Sequence, residues 1–197
     1  MILPLKILFA AIFTISALPA FAQEIGDDGL HKQPWFYESF LEMGMDLQDA
    51  AAEGKGLVVI FEQRGCPYCR ELHQVNFAIP EITDYQSAHF LTVQLNLWGD
   101  RAVTDFDGEE LSEKELARKW LVNFTPTVVF FPAANAGAAS QEAAEAFRMP
   151  GYFKPFHYAS ALEYVSEGAY ADTGFQRFTR ARFLRQEEAG LNPSLWE

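Results

Sequence analysis

The sequence predicts an α/β sandwich, a central sheet flanked by helices with parallel pairing in its first half. Three observations carry that expectation. Short β-rich apolar runs alternate with stretches of helical spacing. Leu57 to Phe61 is an unbroken apolar run of the kind buried on both faces of a sheet. No internal repeat or second apolar core divides the chain.

Met1 to Ala22 stands apart, with 17 apolar residues in 22. Lys6 supplies a short positive start, Ile7 to Leu18 an apolar core of 12 residues, and Ala20-Phe21-Ala22 a small-x-small cleavage site. That is the pattern of a signal peptide over 1–22. Twelve residues are too few to cross a bilayer, and Pro4, Lys6 and Pro19 interrupt any longer run. A retained anchor is the alternative. The domain then runs over 23–197, with a core at about 34–168 and a C-terminal helical extension over 169–197. Lys6 is the one charged residue of the leader, so its removal takes the formal net charge from -12 to -13. Such a charge repels nucleic-acid phosphates and anionic lipid surfaces. Nucleic acid is excluded as a partner, and no stable membrane insertion is expected after cleavage.

Phe36, Phe40, Leu41, Met43, Leu47, Ala50 and Ala51 recur at helical spacing from Pro34, and Gly54-Lys55-Gly56 stops that helix. The strand Leu57 to Phe61 follows. Pro67 suits the first turn of a helix starting at Cys66, where its missing N–H costs little, and Arg70 to Phe77 continues it. Pro80 opens a second helical stretch through Tyr85. His89 to Leu97 alternates as a second strand, and Trp98 to Gly108 is a polar excursion. Ser112 reads as an N-cap with Glu115 at the third helical position, before Leu116, Trp120 and Leu121. Thr127 to Phe131 is a third strand closed by Pro132; residues 133–146 read as a mobile turn, and Ala146 to Met149 as a last short strand. Helices over Pro155 to Val165 and Phe175 to Glu188 complete the chain.

Two cysteines are present, Cys66 and Cys69, spaced Cys-Pro-Tyr-Cys between a strand and a helix. Unpaired N–H groups and the dipole at a helix N-terminus stabilise a thiolate, which suits Cys66 to be the attacking nucleophile. Cys69, one turn inside, can attack the resulting mixed disulfide and release the reduced partner. A static bridge closing so small a loop would restrict the unfolded chain little, and tetrahedral zinc would need two further ligands. The spacing therefore points to thiol-disulfide chemistry.

Here the chain resembles the thioredoxin superfamily. Thr125-Pro126-Thr127 before the strand Val128 to Phe131 matches its cis-proline segment, and Gly151 its later glycine. Phe61 to Cys69, Leu95 to Asp100, Val103 to Gly108 and Gly151 to Pro155 narrow the resemblance to the SoxW-type periplasmic thioredoxins of bacterial sulfur oxidation. The resemblance implies a thioredoxin-like fold with a central mixed sheet and an extra C-terminal helix. It implies a periplasmic thiol-disulfide oxidoreductase with a redox-active Cys66–Cys69 disulfide and no other cofactor. Thr125, Pro126, Pro67 and Tyr68 would form the docking site, Thr125 pairing through its backbone with an extended polypeptide. Electrons would come from a membrane thiol transporter and pass to protein disulfides, sulfur-oxidation carrier proteins among them. A monomer is expected.

Several positions depart from cytoplasmic thioredoxin. Gly65 stands where tryptophan is usual, and Pro67-Tyr68 makes the dipeptide glutaredoxin-like, so a DsbA-like oxidant or an isomerase is the alternative direction. The family's buried acid aligns with Ile60. Glu62, four residues before Cys66, is the candidate to accept the Cys69 proton, a solvated strand-end glutamate being its plain alternative. A copper or zinc chaperone using Cys66, Cys69 and His73 is the rival from another class, although no fourth ligand is visible. No metal site is expected. Attachment of c-type haem would need histidine where Arg70 stands. Asn123-Phe124-Thr125 is formally a glycosylation sequon, but a glycan there would block the docking loop. Arg64 and Arg70 flank the cysteines and either support the thiolate or face solvent. The arginines of the last helix, Arg177, Arg180, Arg182 and Arg185, fit an amphipathic helix docked on the domain, or a basic patch for an acidic partner.

Overall fold

The computed structural model describes residues 25–191. The signal peptide expected over 1–22 lies outside them. Among the described residues no helix is long and apolar enough to cross a membrane.

The order is α1 (Met43–Ala52), β1 (Gly56–Glu62), α2 (Pro67–Glu71), α3 (Pro80–His89), β2 (Phe90–Asn96), β3 (Ala102–Thr104), β4 (Glu110–Ser112), α4 (Glu113–Lys119), β5 (Thr127–Phe131), α5 (Gln141–Ala144), β6 (Phe147–Pro150), α6 (Pro155–Ser166) and α7 (Phe175–Glu188). The main sheet runs β2-β1-β5-β6. β1 pairs parallel with β2, Gly56 opposite Phe90 and Glu62 opposite Asn96, and antiparallel with β5. β5 and β6 are antiparallel, so the sheet is mixed. Every residue of β1 is buried, as its unbroken apolar run requires of a strand covered on both sides.

Alternation along β1 divides the interior into two cores. Leu57, Val59 and Phe61 face α1 and α4, where Trp120 packs edge-on to Phe61 at 5.7 Å and to Phe131 at 5.6 Å. Val58 and Ile60 face Leu72, Phe77, Ile82, Tyr158 and Leu162 beneath α2, α3 and α6. Burying two faces of one sheet is what lets a chain of this size close a core without structural cross-links.

The first helix begins later than the spacing from Pro34 suggests. Leu41 adopts φ 63°, in the left-handed region, so helix cannot run through it. Residues before it form an irregular segment along β2, where the Tyr37 amide donates to the Thr92 carbonyl at 2.8 Å. The excursion after Trp98 contains a small hairpin of β3 and β4, with Ala102 opposite Ser112. Three-residue strands carry too little periodicity to read in advance. The stretch 133–146 holds a single 3-10 turn and α5 rather than an unstructured turn. Ser112 does cap α4, its amide donating to Glu115 Oε2 at 2.8 Å.

The helix carrying the cysteines widens after Glu71. Residues Leu72–Asn76 form a π turn, with the Phe77 amide donating to the Leu72 carbonyl at 3.0 Å. The wider turn sends Leu72, His73 and Asn76 all into the interior. Asn76 is held there by the Phe153 carbonyl, to which its amide donates at 2.9 Å, and by the Tyr152 hydroxyl. α7 docks through Phe178, Thr179 and Arg182, leaving Arg177, Arg180 and Arg185 exposed. This is the amphipathic packing expected of the extension.

Candidate active site

Four chain segments meet at the carboxyl end of β1. The strand ends at Glu62; the turn 63–65 passes through Gly65 at φ 71°, a conformation open to glycine; and Cys66 becomes the N-cap of α2, with Pro67 at its first position. Cys66 and Cys69 form a disulfide, Cα to Cα 5.2 Å. Cys66 Sγ accepts the Cys69 amide at 3.0 Å, so the first cysteine's sulfur already lies against a free N–H of the helix start. Cys66 is 5% and Cys69 1% exposed, which leaves the first sulfur the more accessible of the two.

The Thr125–Pro126 peptide is cis, and the Thr125 carbonyl oxygen lies 3.5 Å from Cys66 Sγ. Pro126 is buried and Thr125 half-buried beside the disulfide. The Pro126 carbonyl accepts the Gly151 amide at 2.7 Å, tying this loop to the turn after β6. Pro67 and Tyr68 are exposed on the helix start, with Tyr68 stacked on Tyr152 at 6.4 Å. Two further apolar side chains, Trp98 and Phe124, stand out to solvent. Trp98 is bound to the active-site turn, its indole N–H donating to Gln63 Oε1 at 2.7 Å. Phe124 precedes the cis-proline dipeptide. Exposed apolar side chains thus stand on the segments that flank the cysteines, and the Thr125 carbonyl lies beside Cys66 Sγ.

Glu62 is 0% exposed, so it is not a solvated residue at a strand end. It shares a face of β1 with Ile60, the position the sequence aligned with the family's buried acid, because side chains two apart point the same way. His73 Nε2 donates to its carboxylate at 3.0 and 3.2 Å. Gln94 Nε2 donates to Glu62 Oε2 at 2.5 Å and to the His31 carbonyl at 2.7 Å. Burial in so dry a site is tolerable for a charge because donors are supplied.

His73 is thereby turned away from the metal ligation considered for it. Its Nδ1 meets Gln33 Nε2 at 3.1 Å and its Nε2 meets Glu62, so neither nitrogen is left for a site with the cysteines. Arg64 and Arg70 are exposed; Arg64 reaches the Asp27 carbonyl at 3.4 Å. Sequence reasoning missed Gln94, Gln33 and His31. The signal for Gln94 was present in the polar half of the alternating run Phe90 to Asn96. Nothing in the sequence says that the irregular N-terminal segment covers that face.

A family model described as a thioredoxin-like domain matches residues 43–166. No curated protein matches the chain. Among solved structures, a thioredoxin-fold protein from Helicobacter pylori is similar at 24% identity and TM-score 0.54, over 68% of this chain and 86% of that one. A thioredoxin from Thermus thermophilus is 24% identical over 63% of this chain and 83% of its own, with TM-score 0.48.

Proposed function

The chain belongs to the thioredoxin-like family and is a thiol-disulfide oxidoreductase, and we propose that it reduces disulfides of partner proteins in the periplasm after export by its signal peptide. The observation that carries this reading is the Cys66–Cys69 disulfide capping α2 beside the Thr125 carbonyl, flanked by segments that carry exposed apolar side chains. An extended partner strand pairs with the Thr125 backbone, its side chains resting on Pro67, Tyr68 and Pro126. Cys66 attacks the partner disulfide, and Cys69 then displaces the partner thiolate from Cys66. Glu62 accepts the Cys69 proton, since a thiol 1% exposed has little access to bulk water. The oxidised pair is recharged by a membrane thiol transporter, and sulfur-carrying proteins of the SoxW-type pathway are the partners the motifs favour. The cysteines carry the electrons, so no other cofactor enters.

The Cys69→Ser chain, expressed with its leader, should accumulate mixed disulfides with periplasmic partners, and Cys66→Ser should accumulate none. Equilibration with glutathione buffers supplies the direction. A potential between those of thioredoxin and glutaredoxin, about -270 to -200 mV, fits a reductant; a value near -120 mV would make it an oxidant and overturn the proposal.

A further inference from the structure

Residues 25–37 lie over the back of the active site and close it. Leu30 is buried, and Trp35 and Phe36 pack edge-on to Phe77. A side chain at Gly29 would collide with Arg64 of the cysteine turn. Three polar groups of this segment enter the Glu62 network directly: the His31 carbonyl, Lys32 and Gln33.

Donor and acceptor identities fix the orientation of each member. Lys32 Nζ, bonded to Asp28 at 2.7 Å, can only donate, and it meets Gln94 Oε1 at 2.9 Å. The Gln94 amide nitrogen must therefore face Glu62 and the His31 carbonyl. Gln33 presents its amide nitrogen, also only a donor, to His73 Nδ1. With Nε2 facing the Glu62 carboxylate, the neutral ring carries its proton there and offers Nδ1 to the Gln33 amide.

We propose that His73 is a positioning residue of the exchange reaction, its tautomer set by Gln33, so that the N-terminal segment is a working part of the redox site. This deepens the reading of Glu62 as acceptor of the Cys69 proton and rests on it. In the resolving step the Cys69 S–H bond breaks and its proton passes to Glu62. The Cys69 sulfur bonds to Cys66 Sγ, and the Cys66–partner S–S bond breaks. The partner leaves as a thiolate, to which the proton is finally returned. Two electrons move from the cysteine pair to the partner disulfide. His73 and Gln94 act by holding the carboxylate in place before the proton arrives, each through a hydrogen bond to it. The other titratable groups facing the pair are His31, with its ring 5.4 Å from that of His73, Arg70 on α2, Lys32 one bond removed, and Tyr158 on α6. Burial, against the pull of Glu62, holds His31 below the usual histidine range.

The test is single-turnover release of glutathione from its mixed disulfide with Cys66, followed by sequential-mixing stopped flow on the full chain across acid and neutral pH. Glu62→Gln should slow release about 100-fold and abolish the acidic limb of the profile. His73→Leu and Gln33→Leu should each move that limb to higher pH, because the carboxylate loses a donor or its alignment. His73→Gln, which restores an amide donor, should return it toward the parent. Adding His73→Leu to Glu62→Gln should change nothing further. If Glu62→Gln keeps the acidic limb, the proton-acceptor reading itself fails. If Glu62→Gln removes the limb while His73→Leu and Gln33→Leu leave it in place, only the positioning inference is overturned. Should His73→Leu not fold, judged by its thermal unfolding, Gln33→Leu and His73→Gln decide the matter.

Discussion

The Ser39 hydroxyl donates to Asp46 Oδ2 at 2.5 Å while accepting the Leu41 amide at 2.6 Å, joining the left-handed turn before α1 to a carboxyl buried in its first turn. Burial, with Asp49 and Glu42 adding to it, pushes the Asp46 carboxyl up to about 6, against the Ser39 hydrogen bond that favours its charge. The folded protein thus binds this proton more tightly than the unfolded chain.

Stability from that proton is fully present below the unfolded carboxyl range and is lost as pH rises through about 6. Asp46→Asn keeps the acceptor for Ser39 and removes the ionisation. It should raise unfolding free energy at pH 7 by up to about 3 kcal/mol, and by nothing below about pH 4. Urea unfolding at both pH values checks this; an equal gain at both would contradict the account.

α7 is fastened by one buried charge. Arg182, 5% exposed, donates from Nε and Nη2 to the two Glu163 oxygens at 2.7 Å each, with its guanidinium 5.0 Å over the Phe156 ring. Glu163→Ala should cost about 3 kcal/mol by leaving that charge unpaired, and Arg182→Met in the same chain should recover part of the loss. Thermal unfolding of the single and double variants measures both. A double variant no more stable than Glu163→Ala would show that the buried charge is not the source.

The exposed apolar side chains near the cysteines should matter to protein partners and not to small ones. Trp98→Ala or Phe124→Ala should raise KM for a protein disulfide about fivefold to tenfold, the loss of one interface anchor. Oxidised glutathione, too small to span these side chains, should be reduced at the parent rate. A parallel loss for both substrates would place these side chains in support of the cysteines instead.

The layered fold was legible because its signals are local. Leu57 to Phe61 is apolar throughout and β1 is buried throughout; Pro67 and Ser112 open helices where their chemistry requires. The cysteine pair and the Thr125-Pro126 loop were legible as motifs, and the structure brings them to 3.5 Å. What stayed hidden depends on contacts distant in sequence. Gln33 meets His73 across 40 residues and Gln94 meets Glu62 across 32, and no periodicity reports such pairings. The irregular course of 34–42 was misread because Phe36, Phe40 and Leu41 happen to fall at helical spacing, while the Leu41 backbone turns the other way.

The bond from the Tyr37 amide to the Thr92 carbonyl also bears on how copies of this protein behave when crowded. β2 is an outer strand of the main sheet, and an uncovered outer strand is a template on which a second molecule can extend the sheet. The N-terminal segment occupies part of that border by backbone pairing at Thr92 and by side-chain bonds at Gln94. Its presence thus shields the protein from strand-to-strand self-association along that border.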